Sequence, residues 1–256
     1  MSHEAESLID AEQQATAEIT PQIRGNLDLC FATFDLVGMA LTAVPPRPVR
    51  ELAHAFKVTT DLLMRLANDL RSVGLLAERG YALQAASLAS SIYEVAYTVA
   101  FIGADDGLAQ EWIRHEDPTR PFRGVWDLTV GVLQKLGLNE VRRRTQYRVY
   151  RQLCLAKHAN PILEMIHGYR LEGGDVVGST GPDVSEAAVR AARFALEHSV
   201  GLVGVAVKAF VMDHVSSAEA AGPLLEQLAL VDTRRRELRD EAIARWGTEN
   251  PFPDQW

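Results

Sequence analysis

Arg151 and His158 are the two side chains that the sequence places best for joint action on a phosphodiester. They stand seven positions apart in a segment of helical periodicity, and seven helical steps return a side chain to within about 20° of its starting direction. A guanidinium on that face grips two phosphate oxygens at once and steadies the extra negative charge of the transition state. An imidazole on the same face moves a proton, from an attacking 2′-hydroxyl or to a leaving oxygen. This chemistry calls for no metal and no cofactor, and none is expected.

The surroundings supply an anion-binding surface. From Arg142 to Lys157 the chain carries six basic residues and no acidic one, with Tyr147 and Tyr150 interleaved. Arginines follow a phosphate backbone and aromatic rings stack on bases, so Arg144, Tyr147, Arg148 and Lys157 are the expected substrate contacts. Glu94 is the third expected member of the catalytic group. It is the one charge in the apolar stretch from Tyr81 to Ile102. A buried carboxylate needs a donor, and Arg151 or His158 is the expected one. The same three groups would also satisfy one another as a purely structural ion pair inside a bundle, which is a competing account of the same residues.

Other chemical patterns are weaker. Arg47 with His54 and Arg193 with His198 share a similar Arg-to-His spacing, so context has to choose among the pairs. Glu51 with His54 and Glu164 with His167 read as Glu-x-x-His, the di-iron pattern of ferritin-like bundles, but the first pair points away from the apolar seam of its helix. No metal site is assigned. The glycines at 173, 174, 178 and 181 lack the lysine and the preceding strand of a phosphate-binding loop and read as a plain connection. His198 reads as a hydrogen-bonded core histidine.

The elements that must hold these residues are helices. Apolar positions repeat at three and four residues almost throughout, which predicts an all-α, multi-helix bundle with little or no β structure. Helices are expected over 4–18, 22–43, 49–76, 81–102, 122–136, 139–158, 161–168, 185–214 and 223–246. Leu52, Phe56, Thr59, Leu63, Leu66 and Leu70 form one seam, as a long bundle helix requires. Asp183 with Glu186 resembles a capping box for the helix after it. The expected organisation is an N-terminal helical arm over 1–43, a main bundle over 44–216, and a C-terminal helix with an extended tail over 217–256 that serves dimerisation.

Two family resemblances follow from quoted segments. The segments "PPRPVRELA", "RLANDLRSVGLL" and "YAL" resemble the winged-helix dimerisation domain of small-molecule O-methyltransferases, which implies a small hairpin over 75–83 and Thr60 to Val73 as the element facing DNA. The glycine-rich turn that binds S-adenosylmethionine is missing downstream. The segments "LLAERGYALQAASLASSIYE", "EWIRHED" and "YRVYRQLCLAKHANP" resemble an uncharacterised all-helical bacterial family with a HEPN-like fold. That resemblance covers more of the chain, and it implies helix where the first implies hairpin. HEPN ribonucleases share an Arg followed after four to six residues by a His, which Arg151 and His158 match. The implied activity is metal-independent endoribonuclease, with a non-enzymatic interaction protein or a winged-helix-like module as the alternatives.

Bulk properties bound these readings. The chain has 256 residues, with 34 acidic against 26 basic and a net charge of −8. That sign excludes an all-over nucleic-acid coat and makes DNA an unlikely partner, while a local patch still admits RNA. Only Cys30 and Cys154 are present, too few for a disulfide framework, and the acidic start lacks the pattern of a signal peptide. A cytoplasmic homodimer is expected. Residues 81–102 are long enough to span a bilayer, but Gln84, Ser87, Ser90, Ser91 and Glu94 interrupt them, so a bundle helix is expected and no membrane partner.

Overall fold

A computed structural model describes residues 3–117, 121–137, 139–158, 169–172, 175–178 and 181–252. The fold is an all-α bundle, with eight α-helices among the described residues. They are α1 (His3–Thr42), α2 (His54–Glu78), α3 (Ala82–Ile102), α4 (Asp106–Ile113), α5 (Val125–Lys135), α6 (Glu140–Lys157), α7 (Glu186–His214) and α8 (Ala218–Trp246). A short antiparallel hairpin, β1 (Tyr169–Glu172) with β2 (Asp175–Gly178), pairs Tyr169 with Gly178 and Glu172 with Asp175. It lies in the glycine-rich stretch expected to be a plain connection. The helix expected over 161–168 lies outside the described residues.

The centre is built from α3 and α7, which pack on each other and are each contacted by α2. Both are apolar on nearly every side, as helices enclosed by neighbours must be. Ala85, Ala86, Ala89 and Ala96 on α3 and Ala191, Ala192 and Ala195 on α7 are buried, and their small side chains let the helices approach closely. Both helices are long and apolar enough to cross a membrane by composition, and 72% of each apolar window is buried inside the bundle. Around this pair α1 lies along α2, α7 and α8, while α6 packs on α3 and α5. Ile19, Ile23 and Leu27 of α1 share the common core with Leu63, Leu66 and Leu70 of α2.

Several boundaries differ from the local pattern. The two helices expected over 4–18 and 22–43 are one, running through Pro21. Proline removes one backbone donor, but Ile19 and Ile23 on either side are fully buried, so tertiary packing holds the helix together across it. The helix expected from Val49 starts at His54, after a single 3-10 turn at Val49–Glu51. The cause is a long-range cap: the backbone N–H of Ala55 donates to Asp106 Oδ1 at 2.8 Å. The cap of α7 is Ser185, whose side chain accepts from Ala188 N–H, instead of the expected Asp183. The last helix begins five residues before Pro223, capped by Ser217. Helix α4 was not expected; Asp105 caps it by accepting from Leu108 N–H at 3.0 Å. Residues 75–83 run from the end of α2 through a turn into α3, in place of the hairpin of the winged-helix reading.

One junction ties three helices together. Gly103 ends α3 with φ +52, and a Cβ there would lie 2.6 Å from Asp213 Oδ2 on α7, so the position suits only glycine. Next to Asp213, His214 Nε2 lies 3.1 Å from Thr59 Oγ1 on α2, with Phe56 and Phe210 against the ring.

Candidate functional site

Helix α6 is an outer helix with one buried seam. Asn139 caps its start by accepting from Arg142 N–H at 3.0 Å. Leu153 is fully buried and fixes the helix against α3. Tyr150 and Lys157 lie three before and four after Leu153, and Cys154 stands four after Tyr150 and three before Lys157, so these residues line the side that faces α3. Arg144, Arg148, Arg151, Lys157 and His158 are exposed.

Glu94 of α3 meets this seam, half-buried. Its Oε1 accepts from Tyr150 Oη at 2.9 Å and from Lys157 Nζ at 3.1 Å. The donors of its carboxylate are therefore Tyr150 and Lys157, where sequence had pointed to Arg151 or His158. The reason is helical phase. Tyr150 and Lys157 are seven apart on the α3-facing side, while Arg151 is one step of about 100° further round. The structure thus brings Glu94 and Lys157 together and leaves Arg151 and His158 on open surface, His158 being the residue that ends α6.

A column of aromatic rings extends from the same contact. Tyr93 stacks on Tyr97 at 4.5 Å, and Tyr150 packs against Tyr93 at 5.1 Å and Tyr147 at 5.8 Å. Tyr147 meets the exposed Trp126 of α5 edge to face at 5.0 Å. Tyr93 Oη lies 3.0 Å from Thr129 Oγ1, which ties α3 to α5. Burial first, then contact with Cys154 and the Glu94 carboxylate, raises the Tyr150 phenol pKa, and burial also raises that of the Cys154 thiol. Both stay protonated at neutral pH, so Tyr150 is a fixed donor to Glu94 and Cys154 is no ready nucleophile.

Of the expected substrate contacts, Arg148 and Lys157 are exposed, Arg144 is exposed and paired with Glu140, and Tyr147 is half-buried under Trp126. Sequence reasoning missed Tyr150 as the donor to Glu94 and missed Trp126 altogether. The first was findable: with Leu153 taken as the buried residue of α6, Tyr150 and Lys157 fall on its seam. Trp126 was not, because its place beside Tyr147 depends on how α5 and α6 pack.

The first Glu-x-x-His pair is split between two elements. Glu51 belongs to the 3-10 turn and His54 opens α2, while Glu164 and His167 lie outside the described residues. Among the described residues no group of three or more His, Cys, Asp or Glu side chains is gathered to hold a metal ion. His198 is half-buried, its ring packed on Phe194 at 4.2 Å, and its Nε2 has no hydrogen-bond partner, where a bonded core histidine was expected. The segment Thr60 to Val73, the DNA-facing element of the winged-helix reading, is the middle of α2, with Leu62, Leu63, Leu66 and Leu70 in the core and Arg65 held by Asp69 at 3.4 Å.

No family model, curated protein or solved structure matches the chain.

Proposed function

We propose that the chain is a HEPN-like, metal-independent endoribonuclease whose substrate lies along the outer face of α6. The observation that carries this reading is the shared exposure of Arg148, Arg151 and His158 on a helix with no acidic residue after Glu140. Arg151 grips the non-bridging oxygens of the scissile phosphate, and Arg144, Arg148 and Lys157 hold neighbouring phosphates. The 2′-oxygen attacks phosphorus as its proton leaves to solvent water, the bond to the 5′-oxygen breaks, and His158 donates the proton that the leaving 5′-oxygen takes up. Glu94 acts one step removed: it fixes Lys157 through the 3.1 Å contact and is a positioning residue.

The test is cleavage of single-stranded RNA by the full chain in excess chelator. His158→Ala and Arg151→Ala should each lower the rate at least about 100-fold with unchanged melting temperature. Equal cleavage by wild type and His158→Ala, or no cleavage by wild type, defeats the proposal. A second reading, a non-enzymatic interaction protein, is favoured by the saturation of Glu94 within the fold; it predicts that Glu94→Gln changes stability alone.

A further inference from the structure

The α7–α8 interface opens into a groove of about 530 Å³, lined by no residue of α6 and independent of the ribonuclease reading. Val200 and Val205 of α7 and Leu225, Leu228 and Ala229 of α8 form its apolar walls. Two glycines keep the α7 side low. A Cβ on Gly201 would lie 3.3 Å from Arg235 Nε, and one on Gly204 would lie 3.2 Å from Leu228 Cδ1. These approaches also set the polarity of the groove: Arg235 sits over Gly201, and Lys208 stands seven residues further along α7, about 10 Å away.

The charge of the lining is lopsided. Three cations, Lys208, Arg235 and Arg236, face one carboxylate, Asp232. The arginines are already engaged, Arg235 with Glu197 at 3.1 Å and Asp232 at 2.7 Å, and Arg236 with Asp232. Lys208 is exposed, and no carboxylate pairs with it among the described residues. An apolar trough of this size with one uncommitted cation at its end fits a small ligand that has an apolar body and one negative head.

We propose that the α7–α8 groove binds a medium-chain carboxylate, with the alkyl chain along Val205, Leu228 and Ala229 and the carboxylate on Lys208. The apolar walls supply the affinity, and Lys208 selects the head group and the direction of entry.

Calorimetric titration of the full chain with decanoate, decanol and decyltrimethylammonium tests this. Decanoate should bind saturably, one per chain, and decanol about tenfold more weakly. Lys208→Glu, an exposed position, should weaken decanoate about tenfold and leave decanol unchanged. Val205→Trp should fill the trough and abolish both. Absence of saturable decanoate binding, equal binding of the cationic amphiphile, or decanoate affinity unmoved by Lys208→Glu overturns the proposal. If Val205→Trp fails to fold by circular dichroism, the Lys208→Glu comparison still decides. RNA cleavage by both variants should match wild type, which separates failure here from failure of the nuclease reading.

Discussion

Glu197 and His198 are neighbours in the chain whose surroundings push them in opposite directions. Glu197 on α7 is buried, and burial raises its pKa from the ordinary 4.5 to about 7, outweighing Arg235 and the more distant Arg239 and Arg193; Glu249 adds to the rise. At His198, loss of solvent round the half-buried ring, then Arg235 and Arg239, lower the pKa from 6.5 to about 3. Between about pH 4.5 and 7 the folded chain holds more protons at Glu197 than the unfolded chain, so this group costs stability as pH rises. At His198 the unfolded chain holds more, so its contribution is lost as pH falls from 6.5 towards 3. The two slopes oppose each other between 4.5 and 6.5. Glu197→Gln should remove one of them. Urea unfolding of the variant near pH 5 and near pH 7 should show stability that rises with pH relative to wild type, by on the order of 1 kcal/mol. Parallel profiles would contradict it.

Individual residues were legible where one helix decides their place. The exposed basic face of α6 follows from its composition and phase. The partner of Glu94 did not follow: Arg151 or His158 was expected, and charge inventory alone gives no reason to prefer Lys157. Only the identity of the buried residue, Leu153, says which of them turns towards α3.

Whole helices were read more securely than their ends. The long apolar patterns of α2, α3 and α7 appear where periodicity put them, since burial on several sides leaves an unmistakable signal. Ends set by distant groups were hidden: α2 is started by Asp106 of α4, 51 positions away in sequence. Pro21, which lies between the two helices expected over 4–18 and 22–43, is a local stop signal that packing overrides. Because it deprives the Ala17 carbonyl of its helical donor, Pro21→Ala should stabilise the chain by about 1–2 kcal/mol in chemical denaturation. The gain is smaller than the full helix-interior cost because proline also restricts the unfolded chain. A lowered midpoint would mean that α1 is bent at Pro21 in a way its neighbours require.

At the scale of the molecule, an acidic whole carries one locally basic helix. A net charge of −8 coexists with a helix that has no acid after Glu140. Composition averaged over the chain therefore misdescribes what a polyanion meets on α6. Position in the assembly matters as much. The central helices are enclosed by neighbours, whereas among the described residues α6 packs mainly on α3 and α5, with Leu153 as its one fully buried side chain. Such a helix costs less to detach than α3 or α7. In deuterium-labelling experiments under native conditions its amides should become labelled well before those of α3 and α7, in an opening that leaves the interior intact. The face proposed to hold RNA would thus lie on a helix that breathes.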